Sequence, residues 1–411
     1  MDYKPYYLTE NPFPELAVVK TDSPDIRLNG TIFLEEIFEK EIESLRQKLD
    51  SGISLIYLTG LQFERGVGKS AVLVHEWRRL RNTPQTVCIY VRCTESTPNN
   101  RPSGICASIA AEMHNQGYLW QAFRHHLMAY AEEEGRGGLT RSSLETMFNV
   151  IKGPVDTLPL TLYSHVANPE GIARNFTEWL SEKVKTEGSA PRLFATCYLT
   201  RPNTFPENFA RIRTEDRITM YENILRITSS AGFTRHYFFL DQMEDTIMAT
   251  PTGRMGEFSL GMRRILEASI NKATIVVTLH PDSELKLNTS AAQHLQNLAP
   301  LDERHTVDLT TLDRRSEKTV SLVAEYMKHF RQGESPTPTY PLDHEAIRYL
   351  CYLKDGNIRL ILQQLHQCLK LGVTDGYPVI DLNYILRHHG ETMGSELNTT
   401  KYEEFKGSSQ N

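Results

Sequence analysis

The sequence is poor in cysteine and contains none of the arrangements in which cysteine binds metal. Its 411 residues include 6 cysteines, with no Cys-x-x-Cys motif and no cysteine and histidine cluster at the spacing of metal ligands. This argues against a zinc-binding domain and against a small disulfide-stapled domain. The thiols are interpreted as reduced and mostly structural, which predicts a cytoplasmic protein.

Long apolar runs and an excess of one charge are also lacking. Apolar runs such as residues 53–58 are far shorter than the ~20 residues of a membrane-spanning helix, and residues 1–16 show no basic stretch followed by an apolar one. Neither membrane association nor an export signal is expected. The 45 basic and 51 acidic residues leave a net charge of −6. This balance argues against nucleic-acid binding by the chain as a whole but allows a local basic face.

What is present is typical of a globular protein of two or three domains, with 40% hydrophobic and 23% charged residues. Short apolar segments separated by stretches of helical periodicity predict a parallel sheet covered by helices. The predicted strands are residues 53–58, 86–92, 237–240, 273–279 and 305–309. We therefore predict an α/β fold with a parallel five-stranded sheet.

The chain is predicted to divide into four parts. Residues 1–30, rich in proline, asparagine and aspartate, are expected to form an extended arm. Residues 31–312 would form the α/β domain, in which 94–235 is far too long for one crossover and is predicted to be a largely helical insertion. Residues 313–390 are predicted to form a helical domain, and the polar residues 391–411 a flexible tail. The helices expected within the insertion are residues 103–115, 119–134, 142–152, 169–185 and 214–229.

The most informative segment lies between a predicted strand and a predicted helix. Residues 60–70 read Gly-Leu-Gln-Phe-Glu-Arg-Gly-Val-Gly-Lys-Ser, which contains the Gly-x-Gly-Lys-Ser core of a nucleotide-phosphate loop. The full motif would have glycine where this chain has Phe63, so we expect Gly60 to make that turn in a longer loop. The alternative is a glycine turn that caps an ordinary helix.

Each residue type of this core has a role in phosphate binding. Gly66 and Gly68, on either side of Val67, would let backbone N–H groups turn inward around the phosphates. The positive end of the following helix would point at the same phosphates. Lys69 would reach the β- and γ-phosphates, and the Ser70 hydroxyl would ligate Mg²⁺. The predicted cofactors are therefore ATP and Mg²⁺.

A phosphate loop requires an acid that positions Mg²⁺ at the end of a neighbouring strand. Asp241 directly follows the predicted strand 237–240 and meets that requirement, which makes it the second candidate metal ligand beside Ser70. The alternative is a strand that simply ends in an acidic turn.

With these motifs, residues 30–93 and 236–372 resemble the AAA+ ATPases and their relatives in the additional-strand branch of P-loop proteins. The resemblance implies an α/β ATPase domain followed by a helical lid. In that family a glutamate usually follows the magnesium-binding aspartate and polarises the attacking water. Here the residue is Gln242, which can orient water but cannot accept its proton. Either Glu244 takes that role, or hydrolysis is slow and the nucleotide acts as a switch.

The resemblance implies three further site residues. Thr278, at the end of the fourth predicted strand, resembles a γ-phosphate sensor, with His280 as its rival. Arg304 stands where AAA+ proteins place an arginine that reaches the nucleotide of the neighbouring subunit. Arg359, in the sequence Gly-Asn-Ile-Arg, resembles the arginine that contacts the γ-phosphate from the lid of initiator-like, origin-recognition-type members. Each position also fits an ordinary strand end or an exposed arginine.

The leading hypothesis is an ATP-binding and ATP-hydrolysing protein that acts as a nucleotide-dependent oligomeric switch in initiation, transposition or defence. Its partners would be further copies of itself, DNA and other proteins of such a system, and the DNA partner rests on the family likeness. A weaker likeness of residues 223–245 to ATP-binding proteins of phage-exclusion systems points to defence. The alternative is a non-hydrolysing scaffold or signalling sensor, which Gln242 favours.

Overall fold

The computed structural model describes residues 1–60, 66–93, 101–134, 169–186, 189–200, 202–313, 317–388 and 399–408. Three predictions from the sequence fall partly or wholly outside these residues. They are the course of the phosphate loop over residues 61–65, the helix expected at 142–152, and much of the predicted tail.

A five-stranded parallel sheet forms the framework of the fold, in the order β2-β3-β4-β1-β5. The predicted α/β class and the parallel five-stranded sheet are thereby confirmed. In this order β4 lies between β1 and β3, so one strand separates the strand that ends in the acid from the strand that precedes the loop. The strands are β1 (Leu55–Thr59), β2 (Thr86–Arg92), β3 (Arg235–Asp241), β4 (Ala273–Thr278) and β5 (Thr306–Asp308).

The strands form where the sequence is apolar on both faces. Every residue of β1 and of β4 is buried, as expected for strands in the middle of a sheet that is covered on both sides. Strands β2 and β3 pair in parallel. In their register Thr86 lies opposite Arg235, and Arg92 lies opposite Asp241. This register places the polar carboxyl ends of β2 and β3 side by side.

Helices connect and surround the strands. The second helix begins at Lys69, next to the predicted phosphate loop. The helices, in chain order, are α1 (Glu39–Asp50), α2 (Lys69–Leu80), α3 (Pro102–Asn115), α4 (Tyr118–Glu134), α5 (Pro169–Val184), α6 (Ser189–Thr200), α7 (Phe205–Ala210), α8 (Arg217–Ser230), α9 (Met243–Ala249), α10 (Met255–Ser269), α11 (Pro281–Leu287), α12 (Gln293–Gln296), α13 (Lys318–Lys328), α14 (His344–Leu353), α15 (Ile358–Asp375), α16 (Leu382–Arg387) and α17 (Thr399–Ser408).

The chain forms two compact units. The first comprises Met1–Gln47, Leu58–Glu76 and Val307–Asn411. It includes the N-terminal segment, the phosphate-loop segment and the C-terminal helices. The second unit comprises Lys48–Tyr57 and Trp77–Thr306, and it includes the described part of the predicted helical insertion. In the described part of the chain, no helix combines the length and the apolar character needed to cross a bilayer.

Both ends of the chain take part in the core of the first unit. Tyr6, Leu8 and Phe13, in the segment expected to be an extended arm, are buried in this core because they are large and apolar. Near the other end, α17 buries Phe405 against the rings of Tyr349 and Tyr352, at centroid distances of 5.4 and 5.7 Å. This part of the predicted flexible tail is therefore a docked helix, which is also held by the ring of Tyr402 against Tyr349 and by a hydrogen bond from the Tyr352 hydroxyl to Glu404.

The second unit is built around a large aromatic cluster. Phe123, Phe176 and Tyr198 are fully buried, and Phe123 contacts the other two rings at centroid distances of 5.8 and 5.4 Å. Rings of this size remove much apolar surface from water. The described helices of the insertion thus share one hydrophobic core with the sheet strands of this unit.

Candidate functional site

In the first unit, the predicted phosphate loop has the backbone conformation that its glycines allow. Gly66 has φ +98° and Gly68 has φ +107°, both in the region that side-chain-bearing residues rarely adopt. Val67, between them, is buried. Helix α2 begins immediately afterwards at Lys69, so the chain turns twice in the left-handed region and then starts a helix. Left-handed residues directly before a helix start are typical of turns whose backbone N–H groups bind anions.

Gly66 is also required by its neighbours, which are residues at the beginning of α15. A Cβ at position 66 would collide with Asn357 Oδ1 and would lie 2.9 Å from Arg359 Cβ. The Arg359 N–H donates to the Gly66 carbonyl at 3.2 Å. The Gly-Asn-Ile-Arg sequence therefore contacts the phosphate-loop segment directly. Gly68 is crowded on another side, since its Cβ would lie 2.7 Å from the ring of Phe38.

Lys69 is buried, with only 7% of the residue exposed. Its Nζ lies 3.7 Å from the position of a Cβ built on Gly60, so the side chain folds back toward the end of β1. A Cβ built on Gly60 would also lie 2.7 Å from Val67 Cγ2. The ammonium group and the half-buried Ser70 hydroxyl are therefore presented by the first turn of α2, next to the two left-handed glycines.

The N-terminal segment contacts α15, the helix whose beginning also contacts the phosphate-loop segment. Asn357 caps α15 by accepting the Leu360 N–H on its side-chain oxygen at 3.2 Å. One turn into the helix, Arg359 Nε donates to the Ala17 carbonyl at 3.1 Å. Further along α15, the His366 ring lies 2.8 Å from the Phe13 carbonyl. The beginning of the chain thus fixes the orientation of Arg359.

A buried ion pair fixes α2 relative to α1. Glu76 is fully buried and accepts from Arg46 Nη2 at 2.8 Å, while Arg46 Nη1 donates to Glu35 at 2.7 Å. The hydrogen bond from Arg46 holds the pKa of the Glu35 carboxyl below its usual range, and His75 adds to this effect. A buried carboxylate is tolerated because it is paired in this way.

In the second unit, four of the predicted site residues meet at the carboxyl ends of β3 and β4. Asp241 ends β3 and is 2% exposed. The Gln242 N–H donates to Thr278 Oγ1 at 2.8 Å and to Asp241 Oδ1 at 3.0 Å. The Thr278 hydroxyl donates to Glu244 Oε2 at 2.6 Å. Gln242 has φ +59°, a strained value for a residue with a side chain. The surrounding contacts must therefore hold the turn in this conformation.

Two residues of this cluster were not predicted from the sequence, and both lie on β2. The Tyr90 hydroxyl donates to Asp241 Oδ2 at 2.5 Å, and Arg92 Nε donates to Gln242 Oε1 at 2.7 Å. Burial, together with the charge of Asp241, raises the pKa of Tyr90, so the phenol stays a donor. In the sequence, the only sign of a role for these residues is that two polar side chains stand near the end of an apolar strand. Their hydrogen-bond partners follow only from the pairing of β2 with β3.

The Cys93 thiol is buried beside the same cluster. Burial raises its pKa to about 12, and the charges of Asp241 and Glu244 contribute to the increase. At neutral pH it is therefore a protonated, buried thiol. Its backbone N–H donates to the Asp241 carbonyl at 2.7 Å, which extends the pairing of β2 and β3 beyond Arg92.

Two predicted residues lie apart from the cluster. The side chain of Arg304 is exposed just before β5, and its backbone carbonyl accepts from Lys48 Nζ at 3.2 Å. His280 caps α11, where its ring nitrogen accepts the Asp282 N–H at 3.2 Å. Of the two candidates for a phosphate sensor, Thr278 bonds to the carboxylates of the cluster, whereas His280 lies beyond the end of β4.

The donor chemistry of the cluster suits a hard cation. Carboxylate and hydroxyl oxygens such as those of Asp241, Glu244 and Thr278 are ligands that Mg²⁺ prefers. Among the described residues, no group of three or more histidine, cysteine, aspartate or glutamate side chains could enclose a metal by itself. A metal here would therefore need ligands from a substrate or from water, as is usual for Mg²⁺ bound with phosphates.

Comparisons of this chain with models of protein families, with curated proteins and with solved structures found no match.

Proposed function

We propose that this protein binds ATP with Mg²⁺ and acts as an AAA+-like nucleotide-dependent switch. One observation carries the proposal: two glycines in the left-handed region, Gly66 and Gly68, immediately precede a helix that begins at Lys69. This conformation requires glycine and creates a nest of backbone N–H groups at a positive helix end, which is a binding site for phosphate groups.

In this proposal the backbone N–H groups of Gly66, Val67 and Gly68 cradle the phosphates, and Lys69 neutralises the β- and γ-phosphates. Ser70 and Asp241 would be the residues of this chain that hold Mg²⁺. When bound, the metal would offset charge that develops on the phosphate oxygens during transfer to water. The burial of Lys69 strengthens its interaction with an anion, because a charge in a poorly solvated place is screened less.

The carboxylate cluster determines how a water molecule could be activated. Gln242 offers an amide, and its oxygen already accepts from Arg92, so it can orient water through its NH₂ group but cannot remove a proton. Glu244 is the group in this cluster that can accept one, provided that its bond to the Thr278 hydroxyl is exchanged for one to water. We therefore assign proton acceptance to Glu244, orientation of water to Gln242, and sensing of the γ-phosphate to Thr278.

Two features support the AAA+-like interpretation. The strand β4 lies between β1 and β3, so one additional strand separates the loop strand from the acid strand, as the name of the additional-strand branch implies. The Gly-Asn-Ile-Arg sequence contacts Gly66, where a lid that reads the nucleotide should be. In the proposal Arg359 contacts the γ-phosphate from this lid, and exposed Arg304 completes the site of a neighbouring copy.

The proposal is tested by measuring ATP affinity in Lys69→Ala beside Lys40→Ala, an exposed lysine that serves as the matched control. We expect Lys69→Ala to lose most of the affinity for Mg²⁺-ATP, because the buried ammonium pairs with the phosphates, and Lys40→Ala to keep it. Equal affinity in both variants, or no affinity for any nucleoside triphosphate in the unaltered chain, would overturn the proposal.

The alternative is a non-hydrolysing scaffold or sensor that uses ATP only to set its assembly state. The contacts Arg92–Gln242 and Thr278–Glu244 favour it, because both side chains next to Asp241 are already engaged. Phosphate release separates the two functions. A slow ATPase predicts faster release in Gln242→Glu and loss of release in Glu244→Ala, whereas a scaffold shows no release in either and still binds ATP.

The switch itself is tested by native mass, measured with and without Mg²⁺-ATP and with and without duplex DNA. We expect assembly only with nucleotide, and loss of assembly in Arg304→Ala without loss of ATP affinity. A further mass shift on addition of DNA would support the proposed DNA-related role in initiation, transposition or defence. An unchanged monomer mass under all four conditions contradicts the oligomeric switch.

A further inference from the structure

The second unit contains a cleft at the amino ends of β3 and β4, opposite the carboxylate cluster. Its volume is about 280 Å³, and it is lined by the end of α1 and by the turns that precede the two strands. Arg235 begins β3 and Asp241 ends it. At ~3.3 Å per residue, the strand separates the cleft from the cluster by about 20 Å. A ligand in this cleft would therefore occupy a site separate from the proposed nucleotide.

The guanidinium of Arg235 is held by one of its three nitrogens. Nη1 donates to Asp50 Oδ1 at 3.0 Å and to the Tyr237 hydroxyl at 3.1 Å. Within the described ranges of the chain, neither Nε nor Nη2 has an acceptor. These two nitrogens form the edge of the guanidinium that binds a carboxylate or phosphate with two parallel hydrogen bonds. The ion pair with Asp50 thus orients the group and leaves its bidentate edge available.

Tyr237 and Lys272 add further donors to the same cleft. Tyr237 is only 3% exposed, and its hydroxyl accepts from Arg235, while its own hydrogen has no acceptor in the described part of the structure. The Nζ of Lys272 lies 3.5 Å from Glu222 and 3.4 Å from the Ala268 carbonyl, both long contacts. A lysine held so weakly can turn toward an anion at little cost.

The charges around the cleft limit what it can bind. Asp50 and Glu222 offset the positive charges of Arg235 and Lys272, so the surroundings are close to neutral. A highly charged polyphosphate is poorly matched to such a site. The volume of the cleft is just below the usual range for small-molecule sites, about 300–1,000 Å³. Both limits favour a small ligand with a single oxyanionic group.

We infer that this cleft is a binding site for a small molecule that carries one carboxylate or phosphate group. Arg235 binds the oxyanion through Nε and Nη2, the Tyr237 hydroxyl donates a further hydrogen bond, and Lys272 turns toward the charge. The site does not depend on the proposed nucleotide site, because none of its residues belongs to the phosphate loop or to the carboxylate cluster.

The test uses the full chain with Lys69→Ala as the background, so that the proposed phosphate loop does not contribute. Inorganic phosphate and sodium acetate are titrated separately by calorimetry at constant ionic strength. We expect saturable binding of at least one of them, and the one that binds identifies the oxyanion. Arg235→Gln should weaken this binding at least tenfold. Arg263→Gln, which removes another partly exposed, ion-paired arginine, should leave it unchanged.

Two further variants keep the result interpretable. Tyr237→Phe preserves the buried ring and should weaken binding about three- to tenfold, because one hydrogen bond to a charged group is lost. Asp50→Asn should strengthen binding, because it removes a negative charge next to the anion. The inference is overturned if neither anion binds saturably, if Arg235→Gln binds as well as Arg263→Gln, or if Asp50→Asn weakens binding. The nucleotide proposal is tested in the Lys69-containing chain, so either idea can fail alone.

Discussion

The phosphate-loop segment and the carboxylate cluster are held in place by different kinds of contact. In the first unit, Gly66 and Gly356 lie where a single added carbon would overlap neighbouring atoms. In the second unit, Asp241, Gln242 and Thr278 are held by hydrogen bonds between side chains and from one backbone N–H. The loop is therefore constrained by shape and the cluster by polar pairing. A larger side chain should therefore destabilise the first region, and loss of a hydrogen-bond donor or acceptor should destabilise the second.

The largest expected effect tests the shape constraint. Gly356 has φ +73°, and a Cβ there would overlap the Leu312 carbonyl, which is backbone and cannot rotate away. We expect Gly356→Ala to lower the free energy of unfolding by about 3–5 kcal/mol. The control is Gly376→Ala, with φ +64° and open space around it, which should cost only about 1–2 kcal/mol. Urea unfolding measures both, and equal losses would show that steric overlap does not hold this region.

The next effect concerns the buried polar groups of the second unit in acid. Burial lowers the pKa of His126 and of His236 to about 4, against about 6.5 in an unfolded chain. The folded state then binds fewer protons below pH ~6.5, so the free energy of unfolding falls as the pH drops from ~6.5 to ~4. The loss should reach about 3 kcal/mol for each histidine.

Urea unfolding at several pH values between ~7.5 and ~4.5 measures this loss. His126→Gln should make the decline shallower, whereas exposed His125→Gln should leave it unchanged. Identical profiles for the two variants would contradict a neutral, buried His126.

A smaller effect tests the polar pairing at Asp241. Tyr90→Phe keeps the ring on β2 and removes only the hydroxyl that donates to Asp241 Oδ2. We expect a loss of about 2 kcal/mol in the free energy of unfolding, typical of a hydrogen bond to a charged group. The control is Tyr118→Phe, whose hydroxyl donates to the neutral Cys88 carbonyl at 3.2 Å and should cost about 1 kcal/mol. The reverse order of the two losses would contradict the stronger pairing assigned to the Tyr90–Asp241 contact.

The smallest expected effect separates the stability of the C-terminal helices from the proposed response to nucleotide. Asn357 and Asp343 cap α15 and α14 with similar hydrogen bonds, 3.2 and 3.0 Å long. Replacing either by alanine should cost about 1 kcal/mol of stability. Since only Asn357 lies against Gly66, Asn357→Ala should also change the affinity for ATP relative to ADP, and Asp343→Ala should not. If both variants keep the same nucleotide preference, the contact with the loop has no part in nucleotide recognition.

Much of the local structure was predictable because it depends on residues close together in the chain. The strand Thr86–Arg92 and the start of a helix at Lys69 follow from apolar runs and from the Gly-x-Gly-Lys-Ser spacing. The docked helix at Thr399–Ser408 was not predicted, since its mostly polar sequence gives little sign that Phe405 is buried. Burial of the N-terminal aromatic residues was also missed, because the residues they pack against lie hundreds of positions away in the chain.

By itself, the sequence determined the α/β class, the five strands, the left-handed glycines of the loop and the acid at the end of β3, because periodicity and glycine conformation act over a few residues. Only the tertiary structure decided that β4 separates β1 from β3, that Tyr90 and Arg92 reach Asp241 and Gln242, and that Asn357 lies against Gly66. Those contacts join residues far apart in the chain, and strand order and register, which no local pattern encodes, bring them together.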